Sequence, residues 1–243
     1  MSTQARGTLF LIPSNLGQPI QPEAILPAQV IALTARLEYF VVENAKTARQ
    51  FLKSLNTILP LQSLNIQELN EHTPASALQG LLKPALQGKD IGLLSEAGAP
   101  AVADPGAQLV ALAHASGVAV APLVGPSALL LALMASGLNG QTFAFHGYLP
   151  IEHQERISAI AAFERESGKR NMTQIFIETP YRNNALLADI VANAAPETKL
   201  CLAVNLTAPD QFICTKCVAQ WRTALPDINR KPTVFLFLSA RSR

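Results

Sequence analysis

The sequence predicts an α/β protein of two domains, with a mostly parallel sheet in residues 1–122 and a mixed sheet in residues 123–243. Three observations carry that prediction. Short apolar runs alternate with helical stretches through the first half, the pattern of strands joined by crossover helices. Three late runs, Leu200–Asn205, Gln211–Thr215 and Val234–Leu238, have little helix between them, which suggests antiparallel pairs. Pro122 and the Gly125-Pro126 turn mark a place where the chain can change domain.

In order, Thr8–Ile12 is a strand stopped by Pro13, and the polar loop Ser14-Asn15-Leu16-Gly17 follows. A helix around Pro27–Arg36 leads to the strand Tyr39–Val42, which ends in Glu43. Ala45–Leu55 reads as helix, Leu64–Glu68 as a short strand, and Pro74–Gln87 as a helix stopped by Gly88. Ile91–Leu94 is a buried strand feeding the loop Ser95–Ala103. Pro105–Ser116 is a helix closed by Gly117, and Val118–Ala121 is the next strand. Beyond the turn, Ser127–Ser136 is a wholly apolar helix and Phe143–Phe145 a strand. The charged helix Glu152–Glu166, the strand Gln174–Ile177 and a helix from Tyr181 to Asn193 complete the series. Asp104-Pro105 and Thr179-Pro180 read as helix N-caps followed by proline at the first helical position.

Hydrophobic residues are 49% of the 243 and charged residues 15%, and Pro105 to Ile151 holds no Asp, Glu, Lys or Arg. A spanning helix needs about 20 unbroken apolar residues. Here His114, Gly117, Pro122 and Gly125 interrupt the stretch, so buried helices and a strand are expected, without a membrane segment. The amino terminus carries no basic segment followed by an apolar run, so no export signal is expected and the location is cytoplasmic. A net charge of +2 is far from the signature of a strongly basic nucleic-acid protein. Residues 126–243 nonetheless carry twelve basic against nine acidic groups, and the tail holds Arg222, Arg230, Lys231, Arg241 and Arg243. That tail is a solvated surface or a phosphate-contacting face. Cys214 and Cys217 form a lone CxxC with no second pair, so no metal site is expected.

Ligands of open α/β sheets bind beyond the carboxyl ends of the strands. Three loops there suit a ligand. Pro13–Gly17 contains a glycine that can bring backbone close. Ser95–Pro100 is built of small residues that leave room for a flat group. Val124–Ala128 turns into a helix whose N–H groups suit a carboxylate. Glu43, Glu96 and Glu178 are strand-end carboxylates on the same side, and His146 beside a strand end is assigned to packing. No GxGxxG follows the first strand, against an ordinary dinucleotide fold.

The ordered series Gly92–Pro100, Asp104-Pro105-Gly106, Pro122–Ala128, Ala135–Leu138, Gly147–Pro150 and Phe176–Arg182 resembles the tetrapyrrole methylase superfamily over nearly the whole chain. Within it the series resembles most the ribosomal RNA small subunit methyltransferase I branch, which methylates a cytidine ribose 2′-hydroxyl. The resemblance implies a homodimer of two-domain subunits with S-adenosylmethionine folded between the domains. It places cofactor contacts on Pro13, on Ser95, Glu96, Ala97, Gly98 and Ala99, on Val102, and on Ser127 and Ala128. Weaker matches add Glu178 and Leu206.

The chain departs from that branch at Pro13 and the loop after it, and at Glu43-Asn44-Ala45-Lys46, where the branch has Glu-Asp-Thr-Arg. Tyr181 and the segment Val204–Thr207 differ as well. These departures fall where the methyl acceptor is expected. Glu43 and Glu178 are the candidate bases for a ribose hydroxyl, and Lys46, Arg182 and the basic tail are candidates for RNA phosphates. The alternatives left open are a small-molecule acceptor such as a tetrapyrrole, and a regulatory protein that binds the cofactor without turnover.

Overall fold

The computed structural model describes residues 5–17 and 20–240. Arg241 and Arg243 of the basic tail lie outside the described residues. The chain divides into two compact units, Met1–Ser127 and Ala128–Arg243.

The first unit holds strands β1 (Thr8–Leu11), β2 (Tyr39–Val42), β3 (Asn65–Glu68), β4 (Ile91–Leu94) and β5 (Ala119–Pro122). Between them run helices α1 (Ala28–Thr34), α2 (Ala45–Ser54), α3 (Leu78–Leu86) and α4 (Gly106–Ala115). The sheet order is β3-β2-β4-β1-β5 and every pairing is parallel. All four residues of β4 are buried, as a central strand covered on both faces must be. One core face gathers Ile12, Phe40, Phe51 and Leu52 under α1 and α2, and the other gathers Leu9, Leu82, Ile91 and Leu109 under α3 and α4.

Parallel strands send all their carboxyl ends to one edge, so the loops after β1, β2, β4 and β5 share that edge. The crossover from β1 goes one way to β2 while the crossover from β4 goes the other way to β5. Adjacent β1 and β4 are therefore the point where the winding reverses and a crevice opens.

The second unit holds α5 (Ala128–Ser136), β6 (Phe143–Tyr148), α6 (His153–Arg170), β7 (Thr173–Ile177), α7 (Asn183–Asn193), β8 (Lys199–Val204), β9 (Phe212–Cys217), α8 (Val218–Trp221) and β10 (Thr233–Leu238). Its order is β6-β7-β10-β8-β9, with only β6 and β7 parallel. The chain's one tryptophan, Trp221, is buried and donates through Nε1 to the Leu200 carbonyl at 2.9 Å.

The units part after Ser127, later than the turn at Pro122 suggested. The Leu123 N–H donates to the Leu11 carbonyl at 2.9 Å, so β5 continues to bond past its proline and keeps the segment in the first unit. The expected helix over 74–87 begins with a 3₁₀ turn, Ala75–Ala77, before α3 proper. Among the described residues no helix is long and apolar enough to cross a membrane.

Candidate functional site

Within the first unit, the loops after β1, β4 and β5 come together. The Ser14 N–H donates to the Gly98 carbonyl at 2.9 Å, and the Gly98 N–H donates to the Asn15 carbonyl at 3.0 Å. This reciprocal pair staples the first loop to the second. Gly98 sits at φ +71, and a methyl built on it would come within 3.0 Å of Leu16 and 3.5 Å of the Pro126 carbonyl. Only glycine takes that conformation at little cost and admits such contacts. Gly125 in turn lies against Pro13, where a β-carbon would stand 2.5 Å from the proline ring. The third loop is thereby packed on the first.

The second loop divides its labour. Gly98 is buried and both its backbone groups are used within the protein, so it fixes loop shape. Glu96 and Ala97 are exposed, Ser95 and Ala99 half-buried, and Val102 is 47% exposed. The small side chains of Ser95, Ala97 and Ala99 leave an open ledge over the crevice. Past them, Ala101 and Ala103 stand at φ 66 and 61. Left-handed backbone costs an alanine roughly 1–2 kcal/mol. Asp104 holds the loop's end, its Oδ1 accepting from the Gly106 N–H at 2.7 Å, so it caps α4 from one residue further upstream than the ordinary cap position. Burial pushes the Asp104 carboxyl above its ordinary range.

Glu43, half-buried at the end of β2, accepts the Glu96 N–H on Oε2 at 2.9 Å. Burial is the largest cause raising its carboxyl above the usual range; the Glu96 N–H opposes this, and the charges of Asp104, Glu96 and Glu71 add to the rise. No cation is paired with it among the described residues. A carboxylate kept hungry for a proton in this way is suited to general-base work.

Glu178, in the second unit, is arranged differently. It accepts from Arg182 Nη2 at 2.5 Å and from the Thr179 N–H at 2.6 Å, and its side chain is 1% exposed. Thr179 occupies the N-cap position with Pro180 following, as expected, but its hydroxyl makes no capping bond. Leu206 is buried at 6% exposure, while Ser127 and Ala128 are half-buried. His146 is a packing residue: its ring stacks on Phe163 with centroids 3.8 Å apart and bonds the Gln174 amide oxygen. Cys214 and Cys217 are free thiols on β9, and no group able to hold a metal occurs among the described residues. Arg222 is spent on structure, donating to the Val191 and Ala194 carbonyls at 3.0 Å at the end of α7.

A cavity of about 360 Å³ opens in the first unit between the β1 and β4 loops and α2. Sequence reasoning placed ligand loops here but missed α2 as its third wall. The spacing of Thr47, Gln50 and Ser54 by three and four residues, which sets them on one helix face, was the signal for it.

The fold is that of tetrapyrrole-type methyltransferases. The methyltransferase CobJ superposes with a TM-score of 0.64 at 20% identity, covering 98% of this chain and 96% of that one. Uroporphyrin-III-C-methyltransferase from Thermus thermophilus gives 0.55 at 18% identity, covering 96% and 93%. No family model matches the chain. Ribosomal RNA small subunit methyltransferase I of Micromonospora olivasterospora is 33% identical over 84% of this chain and 61% of its own length. The protein of the same name from Neisseria meningitidis serogroup B is 30% identical over 90% of this chain and 70% of its own. The chain belongs to the ribosomal RNA small subunit methyltransferase I family.

Proposed function

We propose that the chain transfers a methyl group from S-adenosylmethionine to a ribose 2′-hydroxyl of small-subunit ribosomal RNA, in the cytoplasm and as a homodimer. The relatives' shared name supports small-subunit ribosomal RNA as the substrate. The observation that carries the reading is the pair of backbone bonds locking Ser14, Asn15 and Gly98 together at the winding reversal, with Glu43 beside the second loop. The residues present fit an adenosyl ligand: the Ser95, Ala97 and Ala99 side chains are too small to fill the space over the crevice, and glycine-dependent contacts hold the turns rigid.

When bound, S-adenosylmethionine supplies an electrophilic methyl group on a sulfonium sulfur. Pro13, Ser95 to Ala99, Val102 and Ser127 of the first unit are the proposed contacts. Rigid turns hold such a ligand in one orientation, which is where most of the acceleration originates. Glu43 takes the proton of the acceptor hydroxyl, its raised affinity for protons matching that task. Glu178 is engaged by Arg182 and the Thr179 N–H and fixes the start of α7.

The test is direct. Small-subunit ribosomal RNA from cells lacking the modification, incubated with the protein and S-adenosylmethionine, yields 2′-O-methylcytidine on nucleoside mass spectrometry. An unchanged nucleoside profile, with cofactor binding intact, refutes the acceptor.

A further inference from the structure

Helix α2 contains three cations and no acid: Lys46, Arg49 and Lys53 on the exposed side of Ala45–Ser54. Their spacing sets them along one flank, and Arg49 and Lys53 are neighbours on successive turns. Local physics disfavours this. Like charges at that spacing repel by a few tenths of a kcal/mol, and Lys46 in the first turn opposes the helix dipole. A helix on a merely solvated face ordinarily relieves such repulsion with interleaved carboxylates. Here no carboxylate pairs with any of the three among the described residues. Glu68 and Asn44 satisfy N–H groups of the first turn, but neither pairs with a side-chain cation, and such departures from local rules are expected at functional sites.

The adjoining flank of the same helix supplies Thr47, Gln50 and Ser54 to the cavity wall, one position along from each cation. That cavity, about 360 Å³, falls in the range of roughly 300–1,000 Å³ that small-ligand sites occupy. Its walls combine the apolar surface of Phe51 and Leu94 with neutral hydrogen-bonding groups from Asn15, Thr47 and Gln50. The Gln50 amide both donates and accepts, as does the Watson–Crick edge of an unpaired base. The charged group on the wall is acidic, Glu96, at the end nearest Glu43. Charge is thus polarised across the site: carboxylates at the strand ends repel phosphate, and the cations on α2 attract it.

We propose that α2 is the RNA-docking edge of the site, its Lys46–Arg49–Lys53 flank holding backbone phosphates while the cavity beside it receives an unstacked base. The inference rests on the RNA reading above and deepens it. Single-stranded RNA is recognised in this manner, by bases splayed into pockets and phosphates held on cations. The orientation follows from the charge pattern: phosphates along the helix leave the ribose toward the carboxylate end, where Glu43 stands.

The experiment measures the affinity of the full chain for a fluorescein-labelled, cytidine-rich single-stranded oligoribonucleotide across a salt series. S-adenosylhomocysteine calorimetry and methylation of small-subunit ribosomal RNA accompany it. Replacing the flank (Lys46→Gln, Arg49→Gln, Lys53→Gln) flattens the slope of log affinity against log salt by about 2, since each lost phosphate contact removes about 0.7 on a single strand. Affinity drops about tenfold or more, and S-adenosylhomocysteine binding is unchanged. Gln50→Trp, which fills the α2 side of the cavity from an exposed position, keeps the salt slope and the parent's S-adenosylhomocysteine affinity and loses methyl transfer. Loss of S-adenosylhomocysteine binding instead assigns the cavity to the cofactor and overturns the base pocket. A triple variant with the parent's slope and affinity, or a Gln50→Trp protein with the parent's rate, overturns the docking assignment while leaving the RNA reading standing. A parent chain that binds S-adenosylhomocysteine but neither binds nor methylates RNA overturns both.

Discussion

Two strand ends, β2 and β7, each finish in a glutamate, and the protein treats the two carboxylates in opposite ways. Burial raises the proton affinity of Glu43, neighbouring acids add to the rise, and the one backbone N–H it accepts opposes it. Glu178 is closed in with Arg182 and the Thr179 N–H. The same residue type at the same kind of position is the proposed reagent in one unit and a brace in the other. What separates them is the partner: an arginine four residues on in the second case, acidic loops in the first.

Glu43→Gln sharpens the contrast most. It is expected to lower kcat by about 10²-fold or more, the usual worth of a positioned base, with little change in cofactor affinity. The same substitution stabilises the fold at neutral pH. A carboxyl whose folded-state proton affinity exceeds its unfolded one is a burden when ionised; that burden is absent at low pH and grows as pH rises through the folded value. The parent should therefore lose stability relative to Glu43→Gln as pH climbs from the ordinary carboxylate range, as followed by thermal melts. A Gln variant with parental kcat makes Glu43 a bystander.

Arg182→Met comes next. It strands a carboxylate that is 1% exposed, and with the arginine itself 32% exposed the cost is about 2–3 kcal/mol, less than for a wholly buried pair. Urea unfolding measures it. A loss under 1 kcal/mol shows that the pair does not brace the start of α7.

Ala101→Gly is the smallest effect and has the opposite sign. Relief of the φ 66 strain should stabilise the first unit by about 0.5–1 kcal/mol. A destabilised variant places no strain at Ala101. If stability rises while turnover falls, the strain shapes the ledge for its ligand.

Most strands were readable because they are short apolar runs bounded by turn-forming or polar residues; β3 and β9 are more polar. Ile91–Leu94 agrees residue for residue, and most others agree within one or two at either end. The mixed late sheet was readable for the same reason, since helix-free spacing permits only hairpin-like returns. Less was readable in the loops. Alanine carries no mark of positive φ, so the strain at Ala101 and Ala103 was invisible, and nothing in the sequence announces that Leu123 keeps bonding to β1. The three ligand loops could be named from their small residues, yet the division between Gly98 as staple and its neighbours as ledge needed coordinates. Arg222 looked like a surface cation and is instead a helix-end clamp. The cations of α2 were the converse: ordinary in a charge count, they stand out because no ion pair engages them among the described residues.

The account rests on the stapled turns of the first unit being a seat for an adenosyl sulfur compound. Isothermal calorimetry of the full chain with S-adenosylhomocysteine tests this most directly, comparing the parent with Gly98→Val, which forces a branched side chain into the contact with Leu16 and the Pro126 carbonyl. The account predicts saturable binding by the parent and a loss of at least about tenfold in the variant, with both proteins folded by circular dichroism. Absence of binding by the folded parent, or equal binding by both, contradicts it.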